Sequence, residues 1–130
     1  MRTLQPAGWP RPKGYSNGIA ASGRLIVTAG VIGWNENEVL TSHRLDHQFA
    51  QALKNVVAIL AEGGAGPEHI VRMTIYITSV QEYLPLRDEL APIWKSIIGD
   101  HYPAIAMVEV VRLVEKAAKV EIEATAVIPE

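Results

Sequence analysis

The stretch QALKNVVAILAEGGAGPEHIVRMTIYITS, Gln51 to Ser79, changes its hydrophobic period in the middle. Up to Leu60 the apolar residues recur every three or four positions. After His69 they alternate. The first half extends a stripe that begins upstream: Leu45, Phe49, Leu53, Val56, Val57 and Leu60 share one side of a helix. The spacing predicts a helix over roughly 43–62, with Ser42 as N-cap and Gly63-Gly64 as its stop. In the second half Val71, Met73, Ile75 and Ile77 point one way and Arg72, Thr74, Tyr76 and Thr78 the other, a strand rich in β-branched residues.

Working outward, Ile19–Ala21 and Arg24–Gly30 read as two strands joined through Ser22-Gly23 as a two-residue hairpin loop. A third short strand is expected at Glu38–Leu40, after the polar Asn35–Glu38 turn. On the other side, Leu86, Leu90, Ile93, Trp94 and Ile97 form a second helical stripe, with Pro85 in its first turn and Gly99 at its end. Ala104–Leu113 and Lys119–Ile128 read as two closing strands joined by a hairpin loop, VEKAAK. The predicted order is β-β-α-β-α-β-β in one domain, residues 1–130, with residues 1–17 as an extended arm rich in Pro and Gly. This is an α+β architecture in which two amphipathic helices cover one face of a mixed sheet. The other face carries Thr74, Tyr76, Glu121, Glu123 and several aliphatic residues. Such a half-apolar face suits association with further copies of the chain, and a solvated face is the alternative.

Composition excludes several chemistries. The 130 residues contain no cysteine, which removes thiol nucleophiles, disulfides and cysteine-bound metals. That absence, together with an N-terminal stretch lacking the apolar core of a signal peptide, leans toward a cytoplasmic location. The formal net charge is −2 with no basic run, so the electrostatic footprint of a nucleic-acid partner is missing. No apolar stretch is long enough to span a membrane. There is no phosphate-binding loop, dinucleotide fingerprint or nucleophile elbow. His43 and His47 lie four apart, but HRLDH is not a zinc-protease motif, and a solvated helix start accounts for both. His101 sits at a loop-to-strand junction. Glu109 reads as a structural carboxylate.

Glu121 is the first candidate for chemistry. A strand carboxylate among apolar residues is readily desolvated at a subunit interface, and desolvation raises its pKa toward the range useful in proton transfer. The competing reading is a structural carboxylate paired with Arg72 or Lys119. Trp9 and Trp34 sit in loops, where they either wall a pocket or pack onto the core.

Five segments together resemble the reactive-intermediate deaminase family (RidA, or YjgF, with the older label L-PSP endoribonuclease). GYSNGI, Gly14–Ile19, is similar to the family's GPYSQA opening, and LIVTAGVIGW, Leu25–Trp34, to its strand ending in SGQ-P. Gln51–Thr78 is similar to its long helix and following strand. YPAIAMVEVVRL, Tyr102–Leu113, resembles PARxxVEVxxLP, and KVEIEATAV, Lys119–Val127, resembles VEIEAIA.

The resemblance implies a chorismate-mutase-like fold, a homotrimer with clefts between subunits, and hydrolysis of enamine or imine metabolites without metal or organic cofactor. The family also includes members with no clear deaminase activity, so a non-catalytic trimeric module binding a small ligand or partner is the alternative. Ribonuclease activity, the older label, sits poorly with the charge.

Carried over residue by residue, the resemblance implies that Tyr15 borders the cleft and Glu121 positions water. The backbones of Gly30 and Met107 hold substrate. Three positions depart from the family. Its carboxylate-binding arginine is Ile105, the serine before the strand-end glycine is Ala29, and an asparagine of the second helix is Arg87. An arginine–carboxylate fork is bidentate and charge-assisted, and isoleucine donates nothing. Its loss costs on the order of 2–5 kcal/mol where the carboxylate stays buried, roughly thirtyfold to several-thousandfold. Efficient turnover of small 2-imino acids is therefore not expected. Arg87 is the candidate for a displaced anchor, against the alternative of a surface pair with Asp88 or Glu89. Ile105 and Ala29, with Trp34 at the rim, imply a roomier apolar pocket for a larger or aromatic-derived substrate.

Overall fold

A computed structural model describes residues 1–130. Short strands β1 (Arg2–Thr3) and β2 (Ile19–Ala20) precede β3 (Arg24–Val27) and β4 (Val31–Ile32). Helix α1 (Leu45–Glu62) leads through a single 3₁₀ turn to β5 (Ile70–Ile77). Helix α2 (Val80–Ile97), β6 (Ala104–Glu109) and β7 (Val120–Ile128) complete the chain. The main sheet has the order β3-β7-β5-β6, with β4 continuing along the same edge of β7 as β3. Only β5 and β6 run parallel, and α2 makes the crossover between them.

The two stripes meet over one face of this sheet. Leu53, Val56 and Leu60 of α1 and Leu90 and Trp94 of α2 pack on Met73, Ile75 and Ile77 of β5 and on Val120 and Ile122 of β7. The α+β class and the two-helix layer stand as expected, but three local readings are corrected. Ser22-Gly23 does not close a hairpin: β2 pairs with β1, and β3 pairs with β7. Gly23 adopts φ +144°, and a Cβ there would collide with the carbonyl oxygen of Ile128, so the chain passes tightly against the end of β7. VEKAAK is no hairpin loop either, because β5 lies between β6 and β7. The most apolar strands, β5 and β7, take the centre, where both helices cover them. Residues 38–40 contribute only a bridge from Leu40 to Trp34.

Both helices begin elsewhere than expected. Helix α1 starts at Leu45, so His43 precedes it and shares no helical face with His47. The Ser42 hydroxyl instead accepts the Arg44 N–H and bonds His47 Nδ1 at 2.9 Å. Helix α2 starts six residues before Leu86, capped by Ser79, whose hydroxyl accepts the Glu82 N–H. Pro85 therefore lies inside the helix, past its first turn. Glu109 accepts the Val80 N–H at 2.8 Å. Its role is structural, but its partner is a helix amide rather than a basic side chain, a favourable place for a negative charge.

Gln48 is the buried polar residue that periodicity does not reveal. Its amide nitrogen donates to the carbonyls of Ser42 and Ala117, and its oxygen accepts the Lys119 N–H at 2.8 Å. One side chain thus ties α1 to the segment entering β7. Gln48→Leu keeps the bulk and orphans one buried N–H and two carbonyls. We expect it to cost about 2–4 kcal/mol and to lower Tm by roughly 10 °C at fixed protein concentration. An unchanged melting curve would remove Gln48 as the fastener.

Candidate active site

The strand expected over Arg24–Gly30 is interrupted. Val27 is in register with Thr125 and Val31 with Ile122, so residues 28–30 carry one residue more than the opposing strand. The Thr28 side chain bridges the gap: its hydroxyl accepts the Ala124 N–H at 3.0 Å while its own N–H donates to the Ala124 carbonyl. This bulge re-aims the backbone. Ala29 becomes exposed, and Gly30 comes to lie against Glu121, where an added Cβ would stand 2.5 Å from Oε2.

Glu121 is half-buried in mid-sheet, opposite Ile32 on one side and Tyr76 on the other. Its carboxylate makes no hydrogen bond or ion pair within the chain. The partners considered from sequence are not engaged with it: Lys119 pairs with Glu82 at 2.6 Å, and Arg72 forms no ion pair. Next to it the Tyr76 hydroxyl donates to Glu123 Oε1 at 2.7 Å. That bond pushes the Tyr76 pKa above its usual range, with desolvation and the charges of Glu123 and Glu121 acting in the same direction. A carboxylate with free lone pairs beside a phenol and a second carboxylate is equipped to hold water or to take a proton.

A second group of residues gathers across the sheet. Ile105 and Met107 of β6 are in register with Met73 and Ile75 and face α2. With Tyr15, Arg87, Tyr83 and Trp94 they line an open cavity of about 950 Å³. The N-terminal arm forms its rim because it runs along the start of β6. The Ser16 N–H donates to the Pro103 carbonyl, the Ser16 hydroxyl donates to the Tyr102 carbonyl, and Ser16 bridges Ala104 in parallel. Arg87 forms no ion pair with Asp88 or Glu89, nor with any other residue.

The expected site residues therefore fall into two sets within one chain. Ala29, Gly30 and Glu121 lie at the bulge and on the open face; Tyr15, Arg87, Ile105 and Met107 lie at the helix-side cavity. Trp34 and Tyr76 both pack against a separate small cluster of Ile32, Leu113 and Ala118, and the Trp34 carbonyl accepts from Asn55 Nδ2 at 2.8 Å. Ile32 and Tyr76 are the register partners of Glu121, so Trp34 stands near the first set. Sequence reasoning also missed Tyr83, Trp94 and Tyr102 as cavity residues. The apolar stripe of α2 assigned Trp94 to the core, where it lies, and nothing in sequence announced that it also borders the cavity. His101 is structural, with Nε2 2.6 Å from the Ile70 carbonyl. No three histidine or carboxylate side chains converge as a metal site, and no helix is long and apolar enough to cross a membrane.

Known proteins resemble this chain along nearly its whole length. A RutC family protein of Aquifex aeolicus is 36% identical over 129 residues, covering 98% of this chain and 99% of that protein. A protein of Dermatophagoides farinae named 2-iminobutanoate/2-iminopropanoate deaminase is 30% identical over 121 residues, covering 92% and 90%. The crystal structure of YyfB from Yersinia pestis, described as a protein of unknown function of the conserved Rid family, superposes with a TM-score of 0.86 at 28% identity, covering 98% of both chains. The family described as Endoribonuclease L-PSP matches residues 10–128. The chain belongs to that family, the RidA/YjgF proteins.

Proposed function

We propose that this chain hydrolyses a reactive enamine or imine metabolite in the cytoplasm, at clefts between the copies of a homotrimer. The unpaired, half-buried carboxylate of Glu121, held over Gly30, carries the reading. In the reaction the oxygen of water bonds to the imine carbon, the C–N bond breaks, the nitrogen takes up protons, and ammonia leaves a carbonyl product. Glu121 orients that water and accepts its proton. Tyr15 closes the cleft, and the backbones of Gly30 and Met107 hold the substrate.

The need for a second copy follows from the two sets of residues. One chain cannot bring Glu121 to Ile105, because they occupy opposite faces of the sheet. A neighbour seated on the open face can supply the missing wall. That face presents Leu25 and Val27, 63% and 61% exposed, together with Val108. Aliphatic side chains this exposed on one sheet face suit burial against another copy. Light scattering should return three times the protomer mass of 14.2 kDa.

Ile105 favours one alternative, a trimeric module that binds a ligand without turning it over. The discriminating experiment is ammonia release from imines generated by amino-acid oxidases, run beside aminomuconate-like enamines with an active family member as control. Release above the uncatalysed rate supports the deaminase. Silence across the panel, with carboxylate ligands still raising Tm, supports the module.

A further inference from the structure

The chain has eight aromatic side chains, and five of them, Tyr15, Phe49, Tyr83, Trp94 and Tyr102, line the cavity beside β6. That concentration asks for a ligand. Trp94 and Tyr102 stack nearly parallel, at 12° with centroids 6.4 Å apart, and the indole is fixed by its N–H to the His101 carbonyl at 3.0 Å. The buried Trp94 thus braces Tyr102, which stays accessible for offset stacking of a further ring. Arg87 and Lys13 stand at the same cavity without ion-pair partners, and Asp88 is the one carboxylate lining it. Ile105 and Met107 make the floor apolar.

We propose that this cavity selects acids with an aromatic side chain, holding the carboxylate on the Arg87 guanidinium and the ring against Tyr83, Trp94 and Tyr102. The inference rests on the deaminase reading for its chemistry: the substrate would be an aromatic 2-imino acid, supplied by two-electron oxidation of an aromatic amino acid. The physical reasons are separate from that reading. A guanidinium grips a carboxylate through two parallel hydrogen bonds. A short aliphatic acid would leave Tyr15 and Tyr102, 44% and 39% exposed, in water, whereas a ring can cover them. The cavity, about 950 Å³, has room for both ends of the molecule.

Binding and turnover are tested apart. Calorimetry on the full chain compares phenylpyruvate, pyruvate and phenylacetone, which keeps the ring and lacks the carboxylate. Phenylpyruvate should bind at least tenfold more tightly than either. Arg87→Gln should erase that advantage over phenylacetone while leaving phenylacetone affinity unchanged, and Arg87→Lys should restore part of it. Glu121→Gln should bind phenylpyruvate as the parent does. Equal affinity for pyruvate and phenylpyruvate, or an Arg87→Gln protein that binds as the parent does, overturns the proposal. So does ammonia release from short imines as fast as from aromatic ones, an outcome that leaves the deaminase reading intact. Conversely, Arg87-dependent phenylpyruvate binding without release from any imine upholds the selectivity and removes the deaminase.

Discussion

Glu121→Gln is expected to lower ammonia release by about 10²–10⁴-fold, the range that a positioned acid–base group contributes. Glutamine preserves the size of the side chain, so the open face and its assembly should persist. What it removes is the capacity to accept a proton, since its oxygen is neutral and its nitrogen only donates. In the parent chain no cation compensates the carboxylate, and Glu123 lies close enough for both to raise the Tyr76 pKa. Neutralising one of two neighbouring carboxylates should therefore leave stability unchanged or slightly improved. That sign separates a functional carboxylate from a structural one, because losing half of an ion pair destabilises. Gly30→Ala provides a second, independent arm. The added Cβ would stand 2.5 Å from Glu121 Oε2 and push the carboxylate aside without removing it. Gly30 has no left-handed φ, so its backbone tolerates alanine. Ammonia release should fall at least tenfold in Gly30→Ala with little change in Tm. Full activity in both variants would show that water is activated elsewhere.

What the sequence revealed and what it hid have the same physical origin. Periodicity reports which side of an element is buried, so Leu45, Phe49, Leu53, Val56 and Leu60 placed α1, and the alternation through Ile77 placed β5. Periodicity does not report which strand pairs with which. That depends on the competition of all strands for the covered centre of the sheet. The two apparent hairpins failed because β3 pairs with β7 rather than with β2, and because β5 takes β6 on one edge and β7 on the other. The bulge at residues 28–30 was invisible for a related reason. It exists because the Thr28 hydroxyl stands in for a ladder partner across 96 residues of chain, a contact with no local signature. At the candidate site, the strand pattern already singled out Glu121, the family resemblance added Gly30, and the structure supplied their contact. A loop tryptophan is equally suited to a pocket rim and to a small core, and Trp34 packs against the cluster of Ile32, Leu113 and Ala118 on the side of Tyr76.

The second large effect is a gain. Ile105→Arg should raise ammonia release from short 2-imino acids by about thirtyfold or more, the lower bound of what a lost guanidinium–carboxylate contact costs. Ile105 is half-buried on the helix side of an edge strand, in register with Met73, and its side chain opens into the cavity. An arginine there has a path to solvent, so its charge need not be buried unpaired, and its stem can cover the apolar wall that isoleucine covers now. Some stability should be lost, on the order of 1 kcal/mol, because the longer chain displaces packing beside Met107 and Trp94. The same substitution fills the cavity and sets a second cation near Arg87. Aromatic acids should therefore bind less tightly as short acids bind more tightly, and the two changes should appear together in one titration. The crossover is the informative result. A variant that gains short-acid turnover without losing aromatic binding would mean that the two acids sit in different places. A folded variant that gains nothing would mean that the cavity beside β6 does not receive the substrate carboxylate, and the assignment of Arg87 would fall with it.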